Sequence, residues 1–388
     1  MDKGTNKKIT VIATNSLPIS DKPAWAPGIR SYMMAKELSE RGHRVTLATP
    51  DVLLKGYDPD KIPANVELLS FDHEMETASS SIALESHCRK EDFVIIQTGG
   101  MIAAQTLYGL EGDMKVLLDC WGTSWPEHLA IVDDAKEEHR LSTYHPWFIA
   151  QQHLWRSAWR YLYEDRVQLP FYAGAAYAMG CIYDRINIKE KFVQVGCGAP
   201  FGLDCPGAYP ELPIKGRLVP EDAFVALWFS GFYPWHDIDG IIDGIAKAVK
   251  LHGNVYFVAK GGRPPKHPLG ESCLARAKEL VHAAGIDNNA IFDDEGCPSE
   301  ERKAWFDDSD VALFATTNSF EAKYLTTACR VLDFKHYGLP VLHVVGDELQ
   351  NRISQTVSIG RRSGNSNISK EYAWPKQLAN LFELIEGS

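Results

Sequence analysis

The chain has 388 residues, of which 45% are hydrophobic and 23% charged. This composition is that of a soluble globular protein, and the length calls for two domains where a single ordinary core would be overlarge. The formal net charge of -11 argues against a general nucleic-acid binder, whose phosphate contacts need a basic surface.

The eight cysteines form no C-x-x-C pair, which points to reduced thiols and away from a disulfide framework or a zinc site. No run reaches the roughly 20 apolar residues of a membrane span. The N-terminus enters a strand without a long apolar leader, so a cytoplasmic location is expected.

In chain order, residues 8–14 predict a strand, followed by a Pro- and Gly-bearing loop through Arg30 and an amphipathic helix over 31–40. Strands follow at 44–49, 65–71, 92–97 and 114–119, with a helix over 101–110. Near-continuous apolar strands alternating with helices predict a parallel sheet covered on both faces. Residues 126–166 read as a helical insertion crowded with Trp147, Phe148, Trp155, Trp159, Tyr161 and Tyr163, interleaved with Arg156, Arg160 and Arg166. Such aromatics either fill a core or form a lip against an acceptor or a membrane surface.

A strand at 192–197 closes the first half, giving a first domain over 1–200. The Pro/Gly-dense stretch 201–222 reads as a linker to a second domain over 223–388, whose last helix is free to pack back on the first. The second half repeats the alternation, with strands at 223–229, 255–259, 290–292 and 311–315 and helices at 238–251, 272–284 and 299–307. Then come a helix over 328–337 stopped by Gly338, a strand over 341–345 and a C-terminal helix over 375–386. The expected fold class is α/β, with two doubly wound Rossmann-like domains facing each other across a cleft and ligands bound beyond the carboxyl ends of the strands.

The loops after the strands therefore hold the candidate site residues. Arg330 and Asp333, one helical turn apart, are placed to hold a nucleotide's diphosphate and its ribose diol, or else form an ordinary surface ion pair. Thr326 and Thr327 suit the start of the same helix. Gly28 permits a close backbone approach before a helix N-terminus, with Arg30 beside it. Asp119, with Trp121 or Trp125, is placed to meet a sugar, and Glu127 with His128 is a possible acid/base pair; a capped structural turn is the other reading.

After residue 229 comes SGFYPWHD, with Gly231, His236 and Asp237; Asp237 reads best as a helix cap. Lys260, Gly261 and Arg263 lie in a glycine-bearing basic loop, an anion cradle or an exposed basic turn. The D-x-D pairs Asp237/Asp239 and Asp308/Asp310 are too common by chance to imply a metal.

Taken together, ALWFSGFYPWHD, EERKAWFDDSDVALFATT and above all RVLDFKHYGLPVLHVVGDEL resemble the C-terminal domain of GT-B glycosyltransferases of the retaining family 4 group. GIRSYMMAKELSERGHRVTLATPD and VGCGAPF resemble that family's N-terminal domain. The resemblance implies transfer of a sugar from a nucleoside diphosphate, such as UDP, to a small-molecule or glycan hydroxyl, with retention and without a cofactor or a required metal. Peripheral membrane contact is compatible with it.

The resemblance puts Asp333 at the second acid of an E-x7-E motif, on the ribose, and Thr326 and Thr327 at the diphosphate. The motif's first acid has no counterpart, Glu321 being the nearest candidate, and the basic pair usual after this domain's first strand is replaced by Phe-Tyr-Pro-Trp-His. The diphosphate then falls to Arg330, Lys260, Arg263 or Arg30. The alternatives are a GT-B-fold sugar-nucleotide epimerase, a cyclitol-coupling pseudo-glycosyltransferase, or a non-catalytic nucleotide-sugar-binding protein.

Overall fold

The computed structural model describes residues 6–19, 24–54, 56–71, 84–98, 114–121, 140–182, 188–199, 211–261, 270–317, 329–345 and 373–388. The chain divides into two compact units, one built on Met1–Gly198 and taking in Tyr372–Ser388, the other on Ala199–Lys323 and Ala328–Glu371.

The first unit carries a seven-stranded sheet of β1 (Lys8–Ile12), β2 (Arg44–Pro50), β3 (Val66–Phe71), β4 (Phe93–Gln97), β5 (Lys115–Asp119), β6 (Arg160–Tyr163) and β7 (Phe192–Gln194). Their order is β3-β2-β1-β4-β5-β6-β7, and each neighbouring pair is parallel. A strand covered on both faces has no solvent side, so β4 (FVIIQ) is buried at all five positions.

Helix α1 (Ala26–Glu40) starts five residues earlier than expected. Pro27 and Gly28 look like loop punctuation, but a proline in the first turn gives up an N–H that would have no partner there, so it begins a helix as readily as it ends one.

The aromatic insertion also differs from its reading. Helix α2 (Arg140–Ser157) is present, but Arg160–Tyr163 leaves it as strand β6, and α3 (Leu169–Ala178) and α4 (Ile188–Lys191) follow. Trp155 and Tyr161 are sealed in the core, their rings stacked at 5.1 Å, and Tyr161 stacks on Phe192 of β7 at 4.9 Å. These aromatics pack the sheet, each buried ring contributing about 1.5–3 kcal/mol.

The second unit has the order β10-β9-β8-β11-β12, again all parallel, from β8 (Phe224–Phe229), β9 (Val255–Lys260), β10 (Ala290–Asp293), β11 (Val311–Thr316) and β12 (Val341–Val345). Helices α5 (Ile238–His252), α6 (Gly270–Ala283), α7 (Arg302–Asp307) and α8 (Cys329–His336) connect them. Asp237 caps α5, its carboxylate accepting from the Gly240 N–H at 3.0 Å. Gly338, at φ 75°, follows α8 and turns the chain into β12.

Asp308 and Asp310 are occupied by the second unit's own chain. Asp308 accepts the Ile214 and Lys215 backbone N–H groups, while Asp310 takes the Val225 N–H and the Lys215 ammonium, each at 2.8 Å.

The chain ends in α9 (Trp374–Gln377) and α10 (Ala379–Glu386), which belong to the first unit. The Gly196 N–H donates to the Gln377 carbonyl at 3.1 Å, and Leu378, Leu381, Phe382 and Ile385 are buried. Among the described residues no helix is long and apolar enough to cross a membrane.

Candidate functional site

In a doubly wound sheet the crevice opens where the strand order reverses, which in the second unit is between β8 and β11. The segment Ser230–Asp237 leaves β8 there and is stitched to the end of β11. His236 forms an isolated bridge with Thr316, and the Thr317 N–H donates to the Trp235 carbonyl at 2.9 Å. Tyr233 and Trp235 stack at 4.6 Å with a 10° interplanar angle. His236 turns inward, 4% exposed, its ring edge-on to Trp228 at 4.8 Å.

The Nδ1 of His236 accepts the Tyr233 N–H at 3.2 Å. A neutral ring that accepts at Nδ1 carries its proton on Nε2, and among the described residues that buried Nε2 has no hydrogen-bond partner. Burial, reinforced by the positive charge of Arg330, holds the His236 pKa well below the ordinary histidine value.

Arg330 reaches the same place from the first turn of α8. Its guanidinium lies 5.9 Å from the centre of the Trp228 ring and 5.3 Å from that of Phe314. Nη1 is sealed from solvent, and among the described residues it has no hydrogen-bond partner and no carboxylate pairs with it. Burial pulls its pKa down to about 10, so the side chain remains a cation at neutral pH. A buried charge without a counter-charge is costly. Two N–H donors and one positive charge, with no acceptor supplied, make a site for an anionic oxygen.

Other expected site residues have different employment. Asp333 does not stand beside Arg330 on an open face. It is 2% exposed and ion-paired at 2.6 Å with Arg302 of α7. Lys260 is likewise taken. Its ammonium meets Asp293, its neighbour in the β9–β10 register, at 2.7 Å and lies 4.7 Å from the Trp305 ring centre. Gly261 turns the chain after β9, its N–H bonded to the Asp293 carbonyl at 2.9 Å, and Gly231 is buried in the loop after β8.

In the first unit, Arg30 and Asp119 are not ligands in waiting either. Both side chains are 0% exposed and form a two-pronged ion pair at 2.8 and 3.0 Å. Arg30 also donates to the Gly196 and Val195 carbonyls, at 2.8 and 3.0 Å. Burial opposes the charge, but the field and hydrogen bonds of Asp119 outweigh it and hold the Arg30 pKa above its ordinary value. Trp121 lies against this guanidinium, 5.6 Å from it. The close approach that Gly28 permits is to its own chain: a Cβ there would fall 2.0 Å from the Ser16 carbonyl oxygen.

Arg263, Glu321, Thr326, Thr327, Trp125, Glu127 and His128 lie outside the described residues. Sequence reasoning missed the aromatic frame of Trp228, Tyr233, Trp235 and Phe314; the aromatic density of FSGFYPWHD signals Tyr233 and Trp235, while Trp228 and Phe314 read as ordinary strand residues. It also missed Arg302 and Asp293 as the partners that occupy Asp333 and Lys260.

No protein-family model matches the sequence, and none of the curated proteins matches it. Its structural likenesses run the length of the chain. Sucrose-phosphate synthase from Thermosynechococcus elongatus aligns with a TM-score of 0.65 at 13% identity, covering 98% of each chain. HepE from Anabaena, solved in complex with UDP-glucose, aligns with a TM-score of 0.64 at 12% identity, covering 98% of this chain and 100% of that one. WaaG, a glycosyltransferase involved in lipopolysaccharide biosynthesis, aligns with a TM-score of 0.56 at 14% identity over 98% of both. At these identities the likeness is one of fold: two parallel α/β units of the GT-B kind.

Proposed function

We propose that the protein is a glycosyltransferase that takes a sugar from a nucleoside diphosphate, a UDP-sugar in the first instance, and passes it to an acceptor hydroxyl. The observation that carries this reading is the half-buried Arg330 side chain, its Nη1 sealed and its charge uncompensated among the described residues, at the switch point of the second sheet. The GT-B fold supports it, as does the binding of UDP-glucose by HepE, a structural neighbour.

In this reading the donor's diphosphate lies against Arg330 and the first N–H groups of α8. Breaking the sugar–phosphate bond sends its electron pair to the phosphate oxygen, which leaves with the nucleotide. Negative charge therefore grows beside a guanidinium that is already in place and partly desolvated, and such preorganised stabilisation is the main catalytic term. The acceptor hydroxyl gives up its proton as it bonds to the anomeric carbon. Retention of configuration and independence from metal belong to the proposal through the family resemblance.

A thermal-shift screen of the whole chain against nucleoside diphosphates and their sugars tests the reading. Binding of at least one raises the unfolding temperature, because a ligand selective for the folded state stabilises it by mass action. A flat response across uridine, guanosine, adenosine and thymidine diphosphates and their sugars would overturn it.

A further inference from the structure

We propose that His236 is a second ligand of the anionic oxygen held by Arg330, and that it binds as an uncharged imidazole donating from Nε2. The inference rests on the donor reading above and deepens it by stating how the phosphate is recognised.

Three observations converge. The imidazole is oriented by its own loop: Nδ1 accepts the Tyr233 N–H, the Trp228 ring supports it edge-on, and the His236–Thr316 bridge fixes the backbone. That orientation leaves the Nε2 proton buried and, among the described residues, without an acceptor, a costly state unless a ligand answers it. Arg330 Nη1 is in the same condition against the same Trp228 ring.

Among the described residues the charged and titratable neighbours of the ring are few. Arg330 faces it from α8, Tyr233 lies on its own loop, and Asp237 is turned away to cap α5; Trp228 of β8 and Phe314 and Thr316 of β11 carry no charge. A cation already stands beside the imidazole, so a second positive charge is disfavoured. The pair therefore supplies one charge and two donors. That suits a phosphate oxygen of a diester-like donor, which carries one negative charge per phosphate.

Two variants separate the donor from the shape of the ring. His236→Gln keeps an uncharged N–H at similar reach, and His236→Phe keeps an aromatic ring against Trp228 without a donor. Each is first checked for a cooperative thermal transition and then titrated calorimetrically with UDP-glucose, whose phosphates do not titrate between pH 6 and 8, and with inorganic pyrophosphate at pH 8.

The expected result is a loss of about tenfold or more in affinity for both probes with the Phe variant, as for a hydrogen bond to a charged group. The Gln variant stays close to wild type, and wild-type affinity for UDP-glucose is flat from pH 6 to 8. Wild-type affinity in the Phe variant overturns the inference while leaving the donor reading in place. Affinity that climbs as pH falls towards 6 also overturns it, because the imidazolium would then be the ligand. His236-dependent binding of pyrophosphate with none of UDP-glucose upholds the inference and counts against a UDP-sugar donor. Binding of neither probe by the wild type overturns both.

Discussion

Arg30 and Arg330 are the same side chain in opposite states. Arg30 is fully buried, pairs with Asp119 through two hydrogen bonds and gives two more to the Val195 and Gly196 carbonyls. Arg330 has aromatic rings for neighbours, no carboxylate partner among the described residues, and a sealed Nη1 with nothing to donate to. Their pKa values move accordingly, that of Arg30 upward and that of Arg330 down to about 10. Burial alone therefore does not mark a functional cation. The mark is burial without a partner, because only then does a ligand have something to complete.

The comparison is broken most directly at Asp119. Asp119→Ala strands the Arg30 charge in the first core and should lower the unfolding free energy by about 3–5 kcal/mol, read from urea unfolding. A loss below about 1 kcal/mol would mean that water reaches Arg30 and that the pair is not the structural element described here.

Next in size is Arg330→Met, which keeps the apolar stem and removes the charge. Turnover with the donor identified by thermal shift should fall about 100- to 1,000-fold, the usual effect of deleting a donor to a developing oxyanion. Stability should hold or rise, because a half-buried charge uncompensated among the described residues has gone. Lost stability with unchanged turnover would assign Arg330 to the core and move the phosphate contact elsewhere.

A third test sharpens the account of His236 through pH. Its folded pKa lies well below the ordinary value of about 6.5 that applies when unfolded. The unfolded chain therefore binds the proton first as pH drops. Stability is unaffected above about pH 6.5 and is lost below it, at up to about 1.4 kcal/mol per pH unit, until the folded pKa is reached. His43, also depressed by burial, adds a similar slope. The measurement is therefore the difference between wild type and His236→Gln at pH 7.5, 6.5 and 5.5. Parallel curves for the two proteins would mean that His236 is not held neutral.

The alternation of apolar strands and helices made the two doubly wound units legible in the sequence, because a strand buried on both faces must be apolar throughout. Strand β6 was not legible: four residues, RYLY, follow a helix of similar aromatic content, and only pairing with β5 and β7 distinguishes them. At the candidate site the residue types were legible and their partners were not. Asp119 is 89 positions from Arg30, Asp333 is 31 from Arg302 and Lys260 is 33 from Asp293. A charge looks available in a sequence until the fold brings its counter-charge from a distant segment. Among the described residues Arg330 receives no counter-charge and His236 Nε2 no acceptor, which is why the two stand out.

The smallest effect belongs to a third arginine, Arg41, which lies between the two extremes. It holds Glu386 of α10 at 2.6 and 3.1 Å and lies over the Phe382 ring at 4.3 Å, but its side chain is 43% exposed. Water and salt screen such a pair, so Glu386→Gln should cost only about 0.2–1 kcal/mol, and less in high salt. The packing on Phe382 survives that substitution. The hydrogen bond from Arg41 holds the Glu386 carboxyl below its usual pKa, so the pair's contribution is present at neutral pH and disappears as pH falls through that lowered value. Urea midpoints of the variant and wild type at neutral pH, in low and in 1 M salt, read it out. A cost as large as that of Asp119→Ala would show that exposure does not separate the two pairs and that the ordering of the three arginines by burial and partnership is wrong.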